Sequence, residues 1–423
     1  MASVVIIGGG AGGLTAALEC RRLYPDKPVT LIDRESEIGY YRTLLPMFMV
    51  RTLGEEKLFF WKPGGDAGLG LDVRLGVDVR SVDPAGKRVV LENGETLAYE
   101  RLVLAQGGRP VVPPVFGARP WPKGAFPVRS LEVARQVRDW IAGRKHIVVL
   151  GGGLVGSKSS VFMRLAGYEV SLIEREAHIL PTVLSAEAAA PMQTHLAAMG
   201  ISIHTGSTVD DYRTGADGAL TEVHVSTGRW IRCEAFLIGI GSQPELGFLA
   251  DSGLLENGEL VVDETLRTRD PGVFAIGDCV AIRRDGLHHP WTWPQAVVQG
   301  RYAGANVYSQ APLPIPRVTR VNAQNIAGAP IMILGGPGAG TSVVGRPGDT
   351  SGVWREFFLD DGKIAGGALV GDISGAGPLH ALMVEGRDVS ADALDHLKTR
   401  TRAFAPAAWA RLAQERVVKR GRS

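Results

Sequence analysis

Two sets of residues in this chain have types and spacings that could do chemistry. The first is Gly8, Gly10 and Gly13 followed by Asp33; the second is Gly151, Gly153 and Gly156 followed by Glu174. A glycine triple at G-x-G-x-x-G spacing serves three ends: one glycine makes a tight turn, one lets backbone approach a pyrophosphate, and one lets a helix pack closely on a strand. The free N–H groups at the helix N-terminus then meet the phosphates. An acid about 20 residues further on is placed to accept hydrogen bonds from an adenosine ribose. One such triple is weak evidence, because glycine-rich turns also occur where nothing binds. Recurrence of the whole set, acid included, points to two dinucleotides, and in a single chain that usually means a flavin and a nicotinamide.

The elements that must position these residues can be read around them. The apolar run Val4-Val5-Ile6-Ile7 leads into the first triple, a helical stretch from Leu14 to Arg22 follows, and Val29 to Asp33 forms a second strand ending in the acid. The same order recurs in Ile147 to Leu150, the second triple and its helix, and Val170 to Glu174. Short β-like runs alternate with turns from Leu71 to Leu97, with Asn93-Gly94 as a hairpin signal. Leu102 to Leu104 continues through Gly107 to Pro110, and Phe236 to Ile238 continues through Gly241 to Pro244. Matching closures after matching openings mark an internal duplication. The proline-rich passage from Pro110 to Pro127 reads as a linker. Val273 to Gly277 and Asp278, with a helical pattern from Thr292 to Val307, is expected to return and complete the first sheet. Thr292 suits an N-cap and Pro294 the first turn.

The expected fold is therefore α/β, with two Rossmann-like three-layer dinucleotide-binding domains, the second inserted in the first, and a small α+β C-terminal domain. The expected boundaries are 1–110 with 245–312 for the first domain, 111–244 for the second, 313–397 for the third, and a basic tail over 398–423. In the third domain, Val353 to Phe358, Asp361-Gly362 and Lys363 to Val370 predict a hairpin on an antiparallel sheet.

Composition narrows the classes. With 423 residues the chain can bury two or three cores, and a formal net charge of +2 exerts no strong pull on nucleic acid or an anionic membrane. The first apolar run feeds a glycine triple and has no charged leader before it, so no signal peptide is expected. No stretch approaches a membrane span of roughly 18 apolar residues, and a cytoplasmic protein is expected. Cys20, Cys233 and Cys279 lie far apart and form neither a metal knuckle nor a CxxC pair. His288 and His289 have no companions at ligand spacing and read as a loop pair, so no metal is expected.

The residues resemble the two-dinucleotide flavoprotein reductases, the FAD/NAD(P)-dependent pyridine nucleotide-disulfide oxidoreductase superfamily. Within it they resemble the group of rubredoxin and ferredoxin reductases, NADH oxidases and nitrite-reductase flavin modules. The resemblance is carried by both triples, by Leu104-Ala-Gln-Gly107, by Ile240-Gly241-Ser-Gln-Pro244 and by Thr268 through Gly277-Asp278. It extends over Tyr40 to Phe60 and the region from Gly366 to Asp372. It implies FAD on the first unit and NAD(H), less so NADP(H), on the second. Asp33 would then hold the adenosine ribose and Asp278 the ribityl chain. Arg42 and Val79 would touch flavin and adenine, although one could equally be a solvated cation and the other an ordinary strand residue. The helix at Thr292 would aim its positive end at the flavin, with Trp291 and Trp293 flanking the ring or serving as plain core. Glu174 favours NADH over a 2′-phosphate, a preference that Arg175 next door weakens.

The resemblance implies chemistry carried by the cofactors: hydride passes from nicotinamide to flavin N5, and electrons pass on to a separate acceptor. That acceptor would be a small redox protein such as rubredoxin or ferredoxin, or a partner subunit. Two departures stand out. Tyr40 to Met47 contains no redox cysteine, which disfavours thiol chemistry, and the lysine–glutamate pair that many members hold near the flavin falls here on Met47 and Lys158. Lys158 is expected to bring its ammonium near the nicotinamide or flavin edge; the plain alternative is a surface lysine on the helix. Two competing functions stay open at this point: an NADH:quinone reductase working at a membrane surface through Trp409 to Leu412 and the basic tail, and a non-catalytic flavoprotein serving as an interaction module. The tail could also dock an acidic carrier. Oligomeric state is left open, a homodimer included.

Overall fold

The computed structural model describes residues 4–61, 70–117, 119–289, 291–316, 321–335, 342–345 and 353–386. The chain divides into two compact units: Met1–Arg42, Glu55–Arg109 and Ser242–Val318 in the first, and Thr43–Gly54, Pro110–Gly241 and Thr319–Ser423 in the second.

The first unit is organised on a five-stranded parallel sheet in the order Val273–Ala275, Arg101–Leu104, Val4–Ile7, Val29–Asp33, Leu71–Leu75. The strand that opens the first glycine triple lies at its centre, with Ile7 in register with both Ile32 and Leu104. Ile6, Leu31, Val103 and Phe274 are fully buried, each worth about 1.5–3 kcal/mol relative to exposure. Such continuous apolar runs suit a parallel sheet covered on its faces. The strand Val273–Ala275 returns late in the chain to complete this sheet.

The second unit repeats the plan. Its parallel sheet runs Ile201–His204, Glu169–Ile173, His146–Leu150, Ala235–Ile238, Ala125–Pro127. The glycine strand is again central, the acid-bearing strand beside it, and the closing strand on its other side. Ala125–Pro127 corrects the linker reading of 110–127. Three residues at its end pair in parallel with Phe236–Ile238 and supply the outer strand; the prolines that suggested a linker leave this edge short rather than absent.

Each unit also carries a three-stranded antiparallel sheet just before its closing strand. In the first it is Val79–Asp83, Arg88–Leu91 and Thr96–Ala98, with Asn93-Gly94 in the second turn; in the second it is Val209–Thr214, Leu220–Val225 and Arg229–Arg232. The second unit ends in a five-stranded antiparallel sheet, ordered Val321–Ile326, Ala329–Gly335, Lys363–Val370, Trp354–Asp360, Ser342–Gly345. The helix Ala376–Glu385 packs on it through Leu379, against Leu334, Phe357 and Leu369. The basic tail lies outside the described residues. No helix among them is long and apolar enough to cross a membrane.

Candidate functional site

In the first unit the three glycines divide their labour. Gly8 adopts φ +104°, and a Cβ there would sit 2.2 Å from the Ala105 carbonyl oxygen. At Gly13 a Cβ would fall 1.8 Å from the Gly8 oxygen, so the helix Ala11–Leu23 can lie against its strand only with glycine here. Gly10 differs: a Cβ would meet nothing within 4 Å. Glycine at Gly10 is not required by the protein's own packing; it keeps open the space in front of the helix N-terminus. Asp33 aims at the same turn, its Oδ2 accepting from the Gly9 N–H at 2.5 Å and its Oδ1 from the Glu35 N–H at 2.8 Å. Burial is the largest influence on Asp33 and pushes its carboxyl above the usual range, while those two N–H donors pull it back. A cleft opens here, with Gly8, Asp33, Val79, Gln106 and Phe248 in its wall. Val79 is thus gathered with Asp33, half-buried at the start of its strand.

The second unit reproduces this geometry. Gly151 has φ +105° with a Cβ position 2.4 Å from the Gly239 oxygen, Gly156 would clash with the Gly151 oxygen at 1.7 Å, and Gly153 again faces nothing within 4 Å. Glu174 is buried; its Oε2 accepts from the Gly152 N–H at 2.5 Å and its Oε1 from the Glu176 N–H at 2.9 Å. Both cradles lie at the carboxyl ends of parallel strands, where open α/β sheets bind their ligands.

Other expected residues cluster around the first cradle's sheet. Gly107 (φ +69°) follows the closing strand Arg101–Leu104, and its carbonyl accepts from Glu245 N at 3.1 Å. Gly277 (φ +82°) donates its N–H to Gln299 Oε1 at 2.7 Å, and Asp278, half-buried, comes next at the end of the strand Val273–Ala275. In the second unit Gly241 has φ +103° and its carbonyl accepts from Val111 N at 3.0 Å.

Arg42 is engaged rather than simply solvated. Its Nη2 donates to Glu35 Oε1 at 2.6 Å, its guanidinium lies 5.0 Å from the Tyr40 ring centre, and the Tyr40 hydroxyl donates to Glu35 Oε2 at 2.6 Å.

The helix Trp293–Asn306 has Thr292 at the N-cap and Pro294 in its first turn. The expected capping bond is not made: Thr292 Oγ1 is buried and accepts from no N–H of the first turn. A β-branched residue in extended backbone occupies the cap position while its hydroxyl is left for another partner. Gln299 Nε2 is likewise buried without a partner. Trp293 contacts Tyr41 (centroids 5.7 Å apart) and Phe60 (6.0 Å), which contact each other at 4.9 Å, and it stays partly exposed. Trp291 donates its Nε1–H to the Val280 carbonyl at 3.0 Å.

Lys158, on the helix Leu154–Leu165, is half-buried and donates from Nζ to the Thr43 carbonyl at 2.8 Å; burial depresses its pKa. Its partner is thus a backbone oxygen of the segment that carries Met47. His288 and His289 each pair with a separate acid, Asp285 and Glu259, at 2.6 and 2.7 Å. The three cysteines are buried and unpaired, and burial pushes Cys20 and Cys279 up to about 12.

Sequence reasoning missed Glu35, Gln299 and Glu176. The position of Glu35 two residues past Asp33, matched by Glu176 two past Glu174, was the one available signal.

The residues fit the groups they imply. Two glycines leave cradle space that no protein atom occupies, each acid is fixed over its turn, and Gln299, whose Oε1 accepts from Gly277, keeps a buried Nε2 without a protein partner. The profile of the pyridine nucleotide-disulphide oxidoreductase family matches residues 2–300. The rubredoxin-NAD(+) reductase of Alcanivorax borkumensis is 29% identical over 284 residues, 67% of this chain and 73% of that protein. The ferredoxin–NAD(+) reductase component of the biphenyl dioxygenase system of Paraburkholderia xenovorans is 28% identical over 341 residues, 79% of this chain and 82% of that one. Among solved structures, a chain of the covalent putidaredoxin reductase–putidaredoxin complex superimposes with a TM-score of 0.86 at 20% identity, covering 100% of this chain and 99% of that chain, which is a likeness of fold.

Proposed function

The chain belongs to the pyridine nucleotide-disulphide oxidoreductase family, and we propose that it is an FAD-dependent NADH oxidoreductase delivering electrons to a small redox protein. The duplicated cradle carries this reading: two glycine triples, each with its middle glycine facing open space and its acid bound to the turn. Relatives named as reductases of rubredoxin and ferredoxin supply the acceptor class. We assign FAD to 1–110 with 245–312, NADH to 111–244, and a small α+β C-terminal domain to 313–397. Three free thiols suit a reducing, cytoplasmic setting.

Bound flavin supplies a ring that takes a hydride and gives up electrons, chemistry no side chain offers. The protein's residues position and tune. Gly8, Gly10, Gly13 and the N-terminus of Ala11–Leu23 would receive the FAD pyrophosphate, and Asp33 its ribose, with Val79 in the adenosine wall. Gly277 and Asp278 would hold the ribityl side, Gly107 keeping the chain clear at the neighbouring strand end. Arg42, tied to Glu35, brings a cation to the rim of this site. Trp293, braced by Tyr41 and Phe60, would bound the flavin ring at the positive end of its helix. In the second unit Gly151, Gly153 and Gly156 would take the NADH pyrophosphate, Glu174 its ribose, and Gly241 would leave room at the closing strand. Lys158, on the helix that starts at this cradle, would present its ammonium toward the nicotinamide end.

Anaerobic NADH titration of the yellow protein, followed by a screen of acceptors, tests the reading. Rapid bleaching by NADH with turnover on rubredoxin or ferredoxin is expected. A protein that binds no flavin, or whose flavin NADH does not bleach, would overturn it.

A further inference from the structure

Arg175 stands directly after Glu174, where a guanidinium could meet a 2′-phosphate on an adenosine ribose. Its side chain is 82% exposed. It nevertheless has a fixed partner: Nε and Nη2 both donate to one oxygen, Glu176 Oε1, at 3.0 and 2.8 Å. The backbone N–H of Glu176 donates at the same time to Glu174 Oε1, and its carbonyl accepts from Gly206 N at 2.8 Å. Glu176 is therefore anchored at both backbone groups while its side chain holds the arginine.

The first unit provides an internal comparison. It carries the same acid-arginine-acid order, Asp33-Arg34-Glu35, and the same bond from the third residue's N–H to the first acid. There the third acid turns to Arg42 and Tyr40, and Arg34 lies near Asp78 and Glu245 instead. Neutralisation of the middle arginine by its own neighbour is thus a property of the second unit and does not follow from the motif alone.

We propose that discrimination against NADPH is shared by two acids, Glu174 by facing the ribose and Glu176 by occupying Arg175, so that Arg175 is a latent ligand for a 2′-phosphate. The inference rests on reading the second cradle as the NADH site. An incoming phosphate would face both carboxylates, and like charges brought together are strongly disfavoured. An exposed pair such as Arg175–Glu176 is worth no more than about a fivefold effect on its own, so it can be broken by removal of one charge.

The test uses the flavin-loaded full chain and two readouts: the ratio of kcat/KM for NADPH over NADH with ferricyanide as acceptor, and calorimetric affinity for 2′,5′-ADP against 5′-AMP. Glu176→Gln is expected to raise both the ratio and the 2′,5′-ADP preference by roughly fivefold. Glu174→Ser with Glu176→Gln should raise them by roughly 100-fold or more. Adding Arg175→Ala should abolish the gain. Glu176→Ala, which removes every side-chain acceptor, serves as a second variant and should match Glu176→Gln. An unchanged preference in both Glu176 variants, or a gain that survives Arg175→Ala, overturns the proposal while wild-type NADH turnover leaves the functional reading standing. A wild-type protein that binds neither NADH nor 5′-AMP overturns both.

Discussion

Gly300 lies so close to Gly12 that a Cβ on it would come within 2.3 Å of the Gly12 carbonyl oxygen. This is how the helix Trp293–Asn306 seats on the first fingerprint helix, helped by Gly304, whose Cβ would fall 2.7 Å from the Ala16 oxygen. Gly300→Ala gains about 1 kcal/mol of helix propensity, but overpacking of this kind costs about 1–3 kcal/mol and here meets backbone. The variant should melt several degrees lower and lose flavin on gel filtration, both read from the same sample.

The middle glycines behave oppositely to their neighbours. Gly10→Ala and Gly153→Ala add a methyl group to empty space, so both should fold with near wild-type melting as apoproteins. Gly10→Ala should lose flavin affinity and Gly153→Ala should raise the KM for NADH with flavin retained, each by roughly 5- to 150-fold if the methyl costs about 1–3 kcal/mol against a bound pyrophosphate. Gly13→Ala and Gly156→Ala should give insoluble protein.

Thr292 Oγ1 is buried without a protein partner. Thr292→Val keeps the shape and removes the orphan, so the apoprotein should be as stable as wild type or more stable by about 1 kcal/mol. Flavin retention should fall if the hydroxyl serves the cofactor. Paired melts with and without FAD separate the two effects.

Lys158 has a pKa lowered by burial. A base whose folded pKa lies below its unfolded value binds fewer protons when folded, so stability rises as pH climbs through that window. Lys158→Met should therefore unfold at higher urea than wild type at pH 7, with the difference shrinking as pH approaches about 10.4. If the ammonium also meets the nicotinamide end, the pH profile of NADH affinity should lose its alkaline limb in the variant.

Ser185 caps the helix Ala186–Ala198 through the Ala188 N–H and donates its hydroxyl to the fully buried Glu356 at 2.6 Å. Ser185→Ala removes a cap worth about 1 kcal/mol and strips one donor from a buried acid, a further cost of about 1–3 kcal/mol. Hydrogen exchange in that helix should accelerate accordingly, and Ser185→Thr should restore most of the protection.

The backbone plan was largely legible because parallel strands buried on both faces are continuous apolar runs, and because glycine and acid spacings survive in the sequence. Val4–Ile7, Val29–Asp33, His146–Leu150 and the late return of Val273–Ala275 were all readable in this way. Ala125–Pro127 was not: an edge strand of three residues, ending in proline and following a proline-rich passage, has no periodicity to read. At the sites, glycines and acids tied to backbone were visible, since their roles follow from spacing. Glu35, Glu176 and Gln299 act through side chains whose partners are fixed by rotamer and tertiary approach. Arg42, Arg175 and Gly277 were each visible in the sequence, but no spacing rule joins Arg42 to Glu35 or Gly277 to Gln299.

The two parallel sheets recruit their outermost strand from opposite directions along the chain: Ala125–Pro127 precedes its sheet, whereas Val273–Ala275 trails far behind. During synthesis, vectorial emergence from the ribosome makes this asymmetry a timetable, since domains fold as units when their segments become available. The later cradle has every strand in hand once Ile238 has emerged, while the earlier one waits, open along one flank, for the strand Val273–Ala275, translated long after Leu104 is finished. The first cradle of the nascent protein is thus completed after the second, although it begins first, and flavin loading has to await that late strand.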